Sequence, residues 1–523
     1  MMDTPEDDDD NENAAAPIPT VDDFTWTSSP NPPVPFELRR ELFSEVNVGP
    51  TIPYADPYEA FVAIWDRPII EHICLETNRY AQQLRVEMIN ERRLLPTSRI
   101  CDWKDVTEDD VYVYLAMILA MGLVVKARLK DYWNADEDIF STPGFHVHMS
   151  LRKFQLLSRC LHFCNNEDMC TKNLDASHAK LFKIQPIIQH LNNKFQSLYN
   201  LGRNIVIDES LLQSNGRLDS NQFKPIKVAA VGIKTYEICE PQTGYIWRFF
   251  VHAHRRQTRN APTDTDLSST SLILKLLEGL EHKGHTVWMD NFYNSPALAR
   301  KLKTLNFDCV GTLRTNRQYV PKKLTNLTKA KMKKGQITGY TSGDVDLMVW
   351  RDQNRVATIS TYHGVATIQI NGVTKPTLIH DYNIMMGGVD NTDQLLAVFP
   401  IERKRTKVWY KKLFRRLVNV STLNAFILFK GTNHSQHRDF RTILVKTLLE
   451  RHSRFAHKTI HSTIATAQVD WVKQHHLDVF ACHPNTNTKN RRKCVVCKKR
   501  VSTFCVGCSK TVCIKPCFMI IHN

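Results

Sequence analysis

The spacing of apolar residues changes period twice along this chain, and that change decides what it can become. From about Asp56 to Arg203, segments such as "DPYEAFVAIW" and "LRKFQLLSRCLHF" place apolar residues at helix spacing. Short β-branched runs then take over, and after Pro400 the pattern returns to basic helix. Helix, sheet and helix in that order predict an α/β chain whose sheet is flanked by one helical domain split in two. At 523 residues the chain is too long for a single ordinary core, and a hydrophobic fraction of 42% is enough to fill several.

Within the stranded region, "RNIVIDESLL" gives a short β-branched run ending on Asp208, and "KVAAVGIKTYEICEPQTGYIWRFFVHAH" reads as two strands joined by the turn "EPQTG". Leu272 to Leu280 reads as a helix. "HTVWMD" is a strand ending on Asp290, just before Ser295 and Pro296, a cap followed by proline at the first helical position. "VDLMVWRDQNRVATISTY" supplies another strand pair. In "YNIMMGGVDNTDQLL", Gly387 and Gly388 break the chain, and Asp390 and Asp393 follow three apart on one helix face. Acids at strand ends and helix starts are often simple caps. Brought together, however, they repel unless cations bind, and two Mg²⁺ ions with oxygen ligands are the usual solution at a phosphodiester.

"IDESLL", "WMDNFYNSPALA", "VWRDQNRVATIS", "YNIMMGGVDNTDQ" and "NAFILFK" resemble, in order, the landmarks of piggyBac-type transposases. "MGLVVKARLKDYW" and "LHFCNNED" upstream also fit that pattern. The resemblance implies a ribonuclease H-like catalytic core whose Asp208, Asp290 and Asp390 are Mg²⁺ ligands, with Mn²⁺ as a substitute, and Asp393 as a further acid of the site. It also implies nicking at transposon ends, hairpin formation, strand transfer into TTAA targets, and a homodimer. Where relatives often carry Lys or His beside the glycines, this chain has Met385 and Met386.

The C-terminus reads "CHPNTNTKNRRKCVVCKKRVSTFCVGCSKTVCIKPCFMIIHN". Cys494, Cys497, Cys505, Cys508, Cys513, Cys517, His522 and His483 make eight ligands, enough for two tetrahedral zinc ions. The order of pairs suggests a cross-brace, with Cys494 and Cys497 sharing one ion with Cys513 and Cys517, and Cys505 and Cys508 sharing the other with His522 and His483. So small a segment lacks a core of its own, and metal binding supplies its folding energy. By resemblance the module binds DNA, and Arg491, Arg492, Lys498, Lys499 and Arg500 around the first knuckle suit phosphates.

A formal charge of +16 points to a polyanionic partner, nucleic acid before membrane. The basic stretch after Pro400 offers Arg403, Lys404, Arg405, Lys407, Lys411, Lys412, Arg415 and Arg416 as phosphate contacts, and the same residues can form a nuclear-localisation patch. The longest apolar run, Val111 to Val125, is shorter than the roughly 20 residues that cross a bilayer. It reads as a buried helix capped by Thr107. No secretory signal is visible, so the 14 cysteines are expected reduced or metal-bound. No internal repeat or glycine-rich phosphate loop is present.

The expected organisation is an acidic disordered segment (1–50), a helical dimerisation and DNA-binding domain (51–203), the first part of the catalytic core (204–316), a β-rich insertion domain (317–376), the second part of the core (377–399), the second part of the helical domain (400–475) and the zinc module (480–523). The expected activity is cut-and-paste transposition in the nucleus. The alternative is a domesticated, catalytically silent DNA-binding protein. A third reading, a zinc module for ubiquitin transfer or histone binding, leaves the aspartates unexplained.

Overall fold

A computed structural model of the chain describes residues 24–30, 33–136, 138–168, 181–213, 222–223, 231–252, 269–402, 408–430, 436–453, 477–480, 489–506 and 508–522. It falls into two compact units, Met1–Leu449 and Glu450–Asn523. In the first, helices α1 (Pro57–Ile64), α2 (Arg67–Asn90), α3 (Glu108–Leu123), α4 (Leu151–Cys160) and α5 (Gln185–Leu198) precede the sheet. Their starts follow local chemistry. Asp56 caps α1, whose first residue is proline, and Thr107 with Asp110 forms a capping box at α3. Most of the Val111–Val125 run lies in α3 and is buried.

The sheet strands are β1 (Asn204–Gln213), β2 (Val231–Cys239), β3 (Ile246–Val251), β4 (Thr286–Met289), β5 (Asp308–Thr312), β6 (Ile337–Ser342), β7 (Val345–Arg351) and β8 (Arg355–Ser360). The strand order from one edge is β3-β2-β1-β4-β5-β8-β7-β6, with two-residue strands at Thr27–Ser28 beside β6 and Gln222–Phe223 beside β2. β1, β2 and β3 form an antiparallel meander through the "EPQTG" turn. β1, β4 and β5 run parallel, linked by helices α6 (Ser269–Leu277) and α7 (Pro296–Thr304). Parallel neighbours need such crossovers, which explains the helical pattern read between these strands.

Alternation along β1 divides its side chains. Ile205 and Ile207 join the main core, whereas Val206 joins Cys239, Trp288 and Val310 in a second cluster. That second cluster is closed by Leu378 and Ile379 of α8 (Thr377–Met385) and Val389 of α9 (Gly388–Val398). A Cβ on Gly388 would stand 3.1 Å from Pro241 Cα, so glycine lets α9 start close against the β2–β3 turn. The long helix α10 (Trp409–Lys430) packs against α1 and α5, so the two helical stretches on either side of the sheet meet in space; α11 (His437–His452) follows it.

Two expectations are revised. Residues 317–376 are not a separate β domain, because β6, β7 and β8 continue the central sheet through β8–β5 pairing. Outside the sheet in this interval is the hairpin β9 (Thr367–Ile370) and β10 (Val373–Pro376). Residues 24–30 and 33–50, expected to be disordered, pack on the first unit. Trp26 Nε1 donates to Tyr319 O, Arg39 pairs with Asp346, and Glu41 N donates to Asp308 Oδ2. Aromatic and charged anchors spaced along an otherwise polar segment supply what its apolar content does not. Residues 1–23 lie outside the described residues.

Candidate active site

β1 and β4 run in parallel register with Ile207 opposite Met289, and the next residue on each is an aspartate. Asp208 and Asp290 therefore stand at the same level of adjacent strands. Asp208 is only 9% exposed, and Glu237 of β2 is its cross-strand partner. Asp290 begins a turn held from within: its Oδ1 accepts from Phe292 N at 2.8 Å, and Asn294 Nδ2 donates to Met289 O and Thr312 O, both at 3.0 Å. Ser295 Oγ then caps α7 by accepting from Leu298 N. Gly311 is required beside this turn, since a Cβ there would stand 1.9 Å from Met289 O.

Helix α9 brings the other two acids to the same strand. Asp390 lies in its first turn and is exposed. Asp393, one turn on, accepts from Ser210 Oγ at 2.7 Å and forms an ion pair with Arg416 of α10. Ser210 lies two residues after Asp208, on the same face of β1. Tyr382 of α8 borders this face. Burial, and then the charges of Asp290 and Asp208, push its hydroxyl up to about 12 against a hydrogen bond from Thr312. Tyr293 donates to the buried Glu209 at 2.9 Å, and burial with the charges of Glu209 and Asp208 holds its phenol protonated.

The structure sets Asp208 and Asp290 at matching positions of adjacent strands and ties Asp393 to β1 through Ser210, with Asp390 one turn earlier on the same helix. Among the described residues, three or more ligand atoms within 4.8 Å of one another occur in the cysteine tail and not in this group. Oxygen donors alone, at closely spaced backbone positions, fit a hard divalent cation that relieves their mutual repulsion. A family model described as Transposase IS4 matches residues 56–426.

The chain belongs to this family. Its relatives are of piggyBac type. The human PiggyBac transposable element-derived protein 2 is 23% identical over 396 residues, 72% of this chain and 61% of that protein. The human PiggyBac transposable element-derived protein 3 is 24% identical over 416 residues, 76% of this chain and 65% of that protein. The chain spans under two thirds of the length of either relative. A piggyBac transposase, solved by cryo-electron microscopy as a synaptic complex with hairpin DNA, matches the fold with a TM-score of 0.68 and 21% identity, covering 87% of this chain and 97% of that one.

In this piggyBac-type chain the basic stretch after Pro400 is used differently from its sequence reading. Lys412 and Arg415 are buried, and Arg415 Nη1 donates to Ile401 O at 3.1 Å. Lys411 donates to the carbonyls of Ser158 and Arg159, and burial pulls its amine down to about 8. Arg416 is held by Asp393 and Ser210. These four cations face protein rather than a phosphate strip, because the α10 core packs on all sides of the helix. Arg403, Lys404, Arg405 and Lys407 lie outside the described residues. What the sequence reading missed are Ser210, Tyr382 and the inward role of Arg416; the i, i+2 spacing of Asp208 and Ser210 was the available signal.

In the second unit the sulfurs of Cys494, Cys497, Cys513 and Cys517 lie within 4.8 Å of one another, and Cys505, Cys508 and His522 form a second group. Cys517 and His522 are the ends of α12 (Cys517–His522). His483 lies outside the described residues. Four thiols, and two thiols with an imidazole, are donor sets suited to zinc. Burial opposes ionisation of Cys494, but the N–H groups of Cys497, Val496 and Cys513 outweigh it and bring the thiol to about 6. Arg491, Arg492, Lys498, Lys499 and Arg500 are exposed around the first group. None of the described cysteines is in a disulfide, and among the described residues no helix is long and apolar enough to cross a membrane.

Proposed function

We propose that this chain is a cut-and-paste DNA transposase that nicks transposon ends, passes through a hairpin on the element and joins it to TTAA targets. The observation that supports the reading is the register of β1 and β4, with Asp208 and Asp290 at matching positions, together with α9, which carries Asp390 in its first turn and meets β1 through Asp393 and Ser210. The order β3-β2-β1-β4-β5, an antiparallel meander followed by parallel strands, supports a ribonuclease H-like core.

Asp208, Asp290 and Asp390 are the residues that would hold two Mg²⁺ ions, or Mn²⁺ in their place. When bound, such a pair supplies activation of the attacking oxygen and stabilisation of the leaving one. The chain's own residues hold the frame. The Asn294 hydrogen bonds fix the Asp290 turn, and the half-buried Tyr382 hydroxyl keeps its proton beside the acids. The cysteine tail, with two structural zinc ions, presents exposed Arg and Lys side chains to the phosphates of the DNA ends. Function as a homodimer and residence in the nucleus belong to the same reading.

The relatives' names, transposable element-derived proteins, support a second reading in which the chain binds DNA without transposing it. Excision of a marked donor flanked by the DNA beside this gene separates the two. Restoration of a single TTAA with the intact chain and not with Asp390→Asn supports the transposase. Bound ends without excision support the silent binder.

A further inference from the structure

The two acids of α9 do not share one environment. Asp390 is exposed at the open end of the helix. The Asp393 carboxylate is 18% exposed and its Oδ1 already serves two donors, Ser210 Oγ at 2.7 Å and Arg416 Nη2, while Arg416 Nη2 also donates to Ser210 Oγ at 3.0 Å. One strand, one short helix and one long helix thus meet at a closed triangle. Three residues further along both helices the contact repeats. Asn419 Nδ2 donates to Leu396 O at 3.2 Å and Phe399 O at 3.3 Å, at the end of α9, and Arg441 Nη2 holds Asn419 Oδ1 at 2.6 Å. On the opposite flank Thr392 Oγ1 donates to Gly244 O at 3.2 Å. α9 is held along its length, with Gly388 and Val389 packed on one side of Asp390 and Thr392 and Asp393 on the other.

We infer that Asp393 is a positioning residue and not a metal ligand: paired with Arg416 and Ser210, it fixes the register of α9 on β1 and so sets where Asp390 stands beside Asp208 and Asp290. A carboxylate whose oxygen accepts an arginine and a hydroxyl is a poor donor to a hard cation, because the arginine neutralises the charge the cation needs. Arg416 in turn is committed, since removing Asp393 leaves a mostly buried cation with only its longer ion pair, to Glu402 at 3.9 Å. The inference rests on the metal-dependent reading of the three other aspartates.

The test uses the full chain, Mn²⁺ as the probe, and the variants Asp390→Asn, Asp393→Asn, Arg416→Gln and the double substitution Asp393→Asn with Arg416→Gln. Titration calorimetry reads ion stoichiometry, and hydrogen exchange reads the amides of 388–398. Asp393→Asn is expected to speed exchange in α9 by about tenfold or more and to lower cleavage of the flanking-DNA donor by about a hundredfold, with the double substitution recovering at least about tenfold of that loss because the buried guanidinium is removed together with its shorter partner. Mn²⁺ stoichiometry in the double substitution is expected to match the intact chain. Loss of an ion in the double substitution, with no recovery of cleavage, makes Asp393 a ligand and overturns the inference. Unchanged exchange in α9 on Asp393→Asn overturns it as well. If Asp393→Asn does not fold, Arg416→Lys, which keeps the charge and loses the fork, carries the exchange and stoichiometry measurements. Unchanged Mn²⁺ binding in Asp390→Asn brings down the metal reading itself, and the exchange result then decides the clamp separately.

Discussion

In the first unit Phe61, Trp65, Phe154 and Phe195 are buried among dozens of apolar neighbours, whereas the buried cluster of the second unit is Cys494, Cys505, Val512 and Cys517. The first can bury enough apolar surface to hold strands and helices in register, and its acids are placed by that frame. Among its described residues the second has one buried aliphatic side chain among three thiols, so the groups that would bind metal are also the groups that fill its centre. The two proposed metal sites are therefore built by opposite routes in one chain: frame first and ligands second at the aspartates, ligands as the frame in the tail.

Chelation makes the largest demand on this contrast. Stripping zinc should remove on the order of 10 kcal/mol from the tail. Amide exchange should collapse across 494–522 while β1 and β4 stay protected, and loss of protection in both units at once would break the distinction. Next, Phe195→Ala in α5, whose ring is fully buried, should cost the first unit about 3–5 kcal/mol by denaturant unfolding and leave tail zinc content unchanged.

Acid gives a third separation. Burial lowers His162 to about 4, although its Nε2 donates to Asn166 Oδ1 at 2.9 Å. A folded value below the unfolded one means that the unfolded chain takes up the proton first, so stability is full above about 6.5 and falls as pH drops toward 4, by roughly 3 kcal/mol. His162→Gln should flatten that slope in the first unit; an unaltered slope would remove His162 from the account. Smallest, Thr107→Ala should cost about 1 kcal/mol by deleting the α3 cap, read as a lowered midpoint with unchanged slope.

Much of this was legible from residues. The strand leading to Asp208, the strand leading to Asp290, the Ser295–Pro296 start and the thiol spacing are all local, and local chemistry specifies them, although the first strand runs on past Asp208 to Gln213. What was not legible is what depends on partners distant in sequence. Nothing near "VDLMVWRDQNRVATISTY" says that β8 pairs with β5, so these strands looked like an insertion. Arg416 sits in a run of cations that reads as a DNA face, yet α10 is buried on nearly every side and its charges turn to Asp393, Ile401 and backbone carbonyls. Helix periodicity reports one apolar stripe well and a helix enclosed all round poorly. Trp26 and Arg39 likewise hold their segment through partners some 300 residues away.

The triangle of Ser210, Asp393 and Arg416 joins residues up to 206 positions apart. During synthesis the chain emerges from its N-terminus at about 5–20 residues per second, so β1 is made many seconds before α10 can reach it. A chain stalled or cut between Asp393 and Trp409 carries all four aspartates and lacks the helix that holds Asp393. The acids are thus assembled only on the finished polypeptide, and a fragment from a truncated message holds the carboxylates without the geometry that joins them.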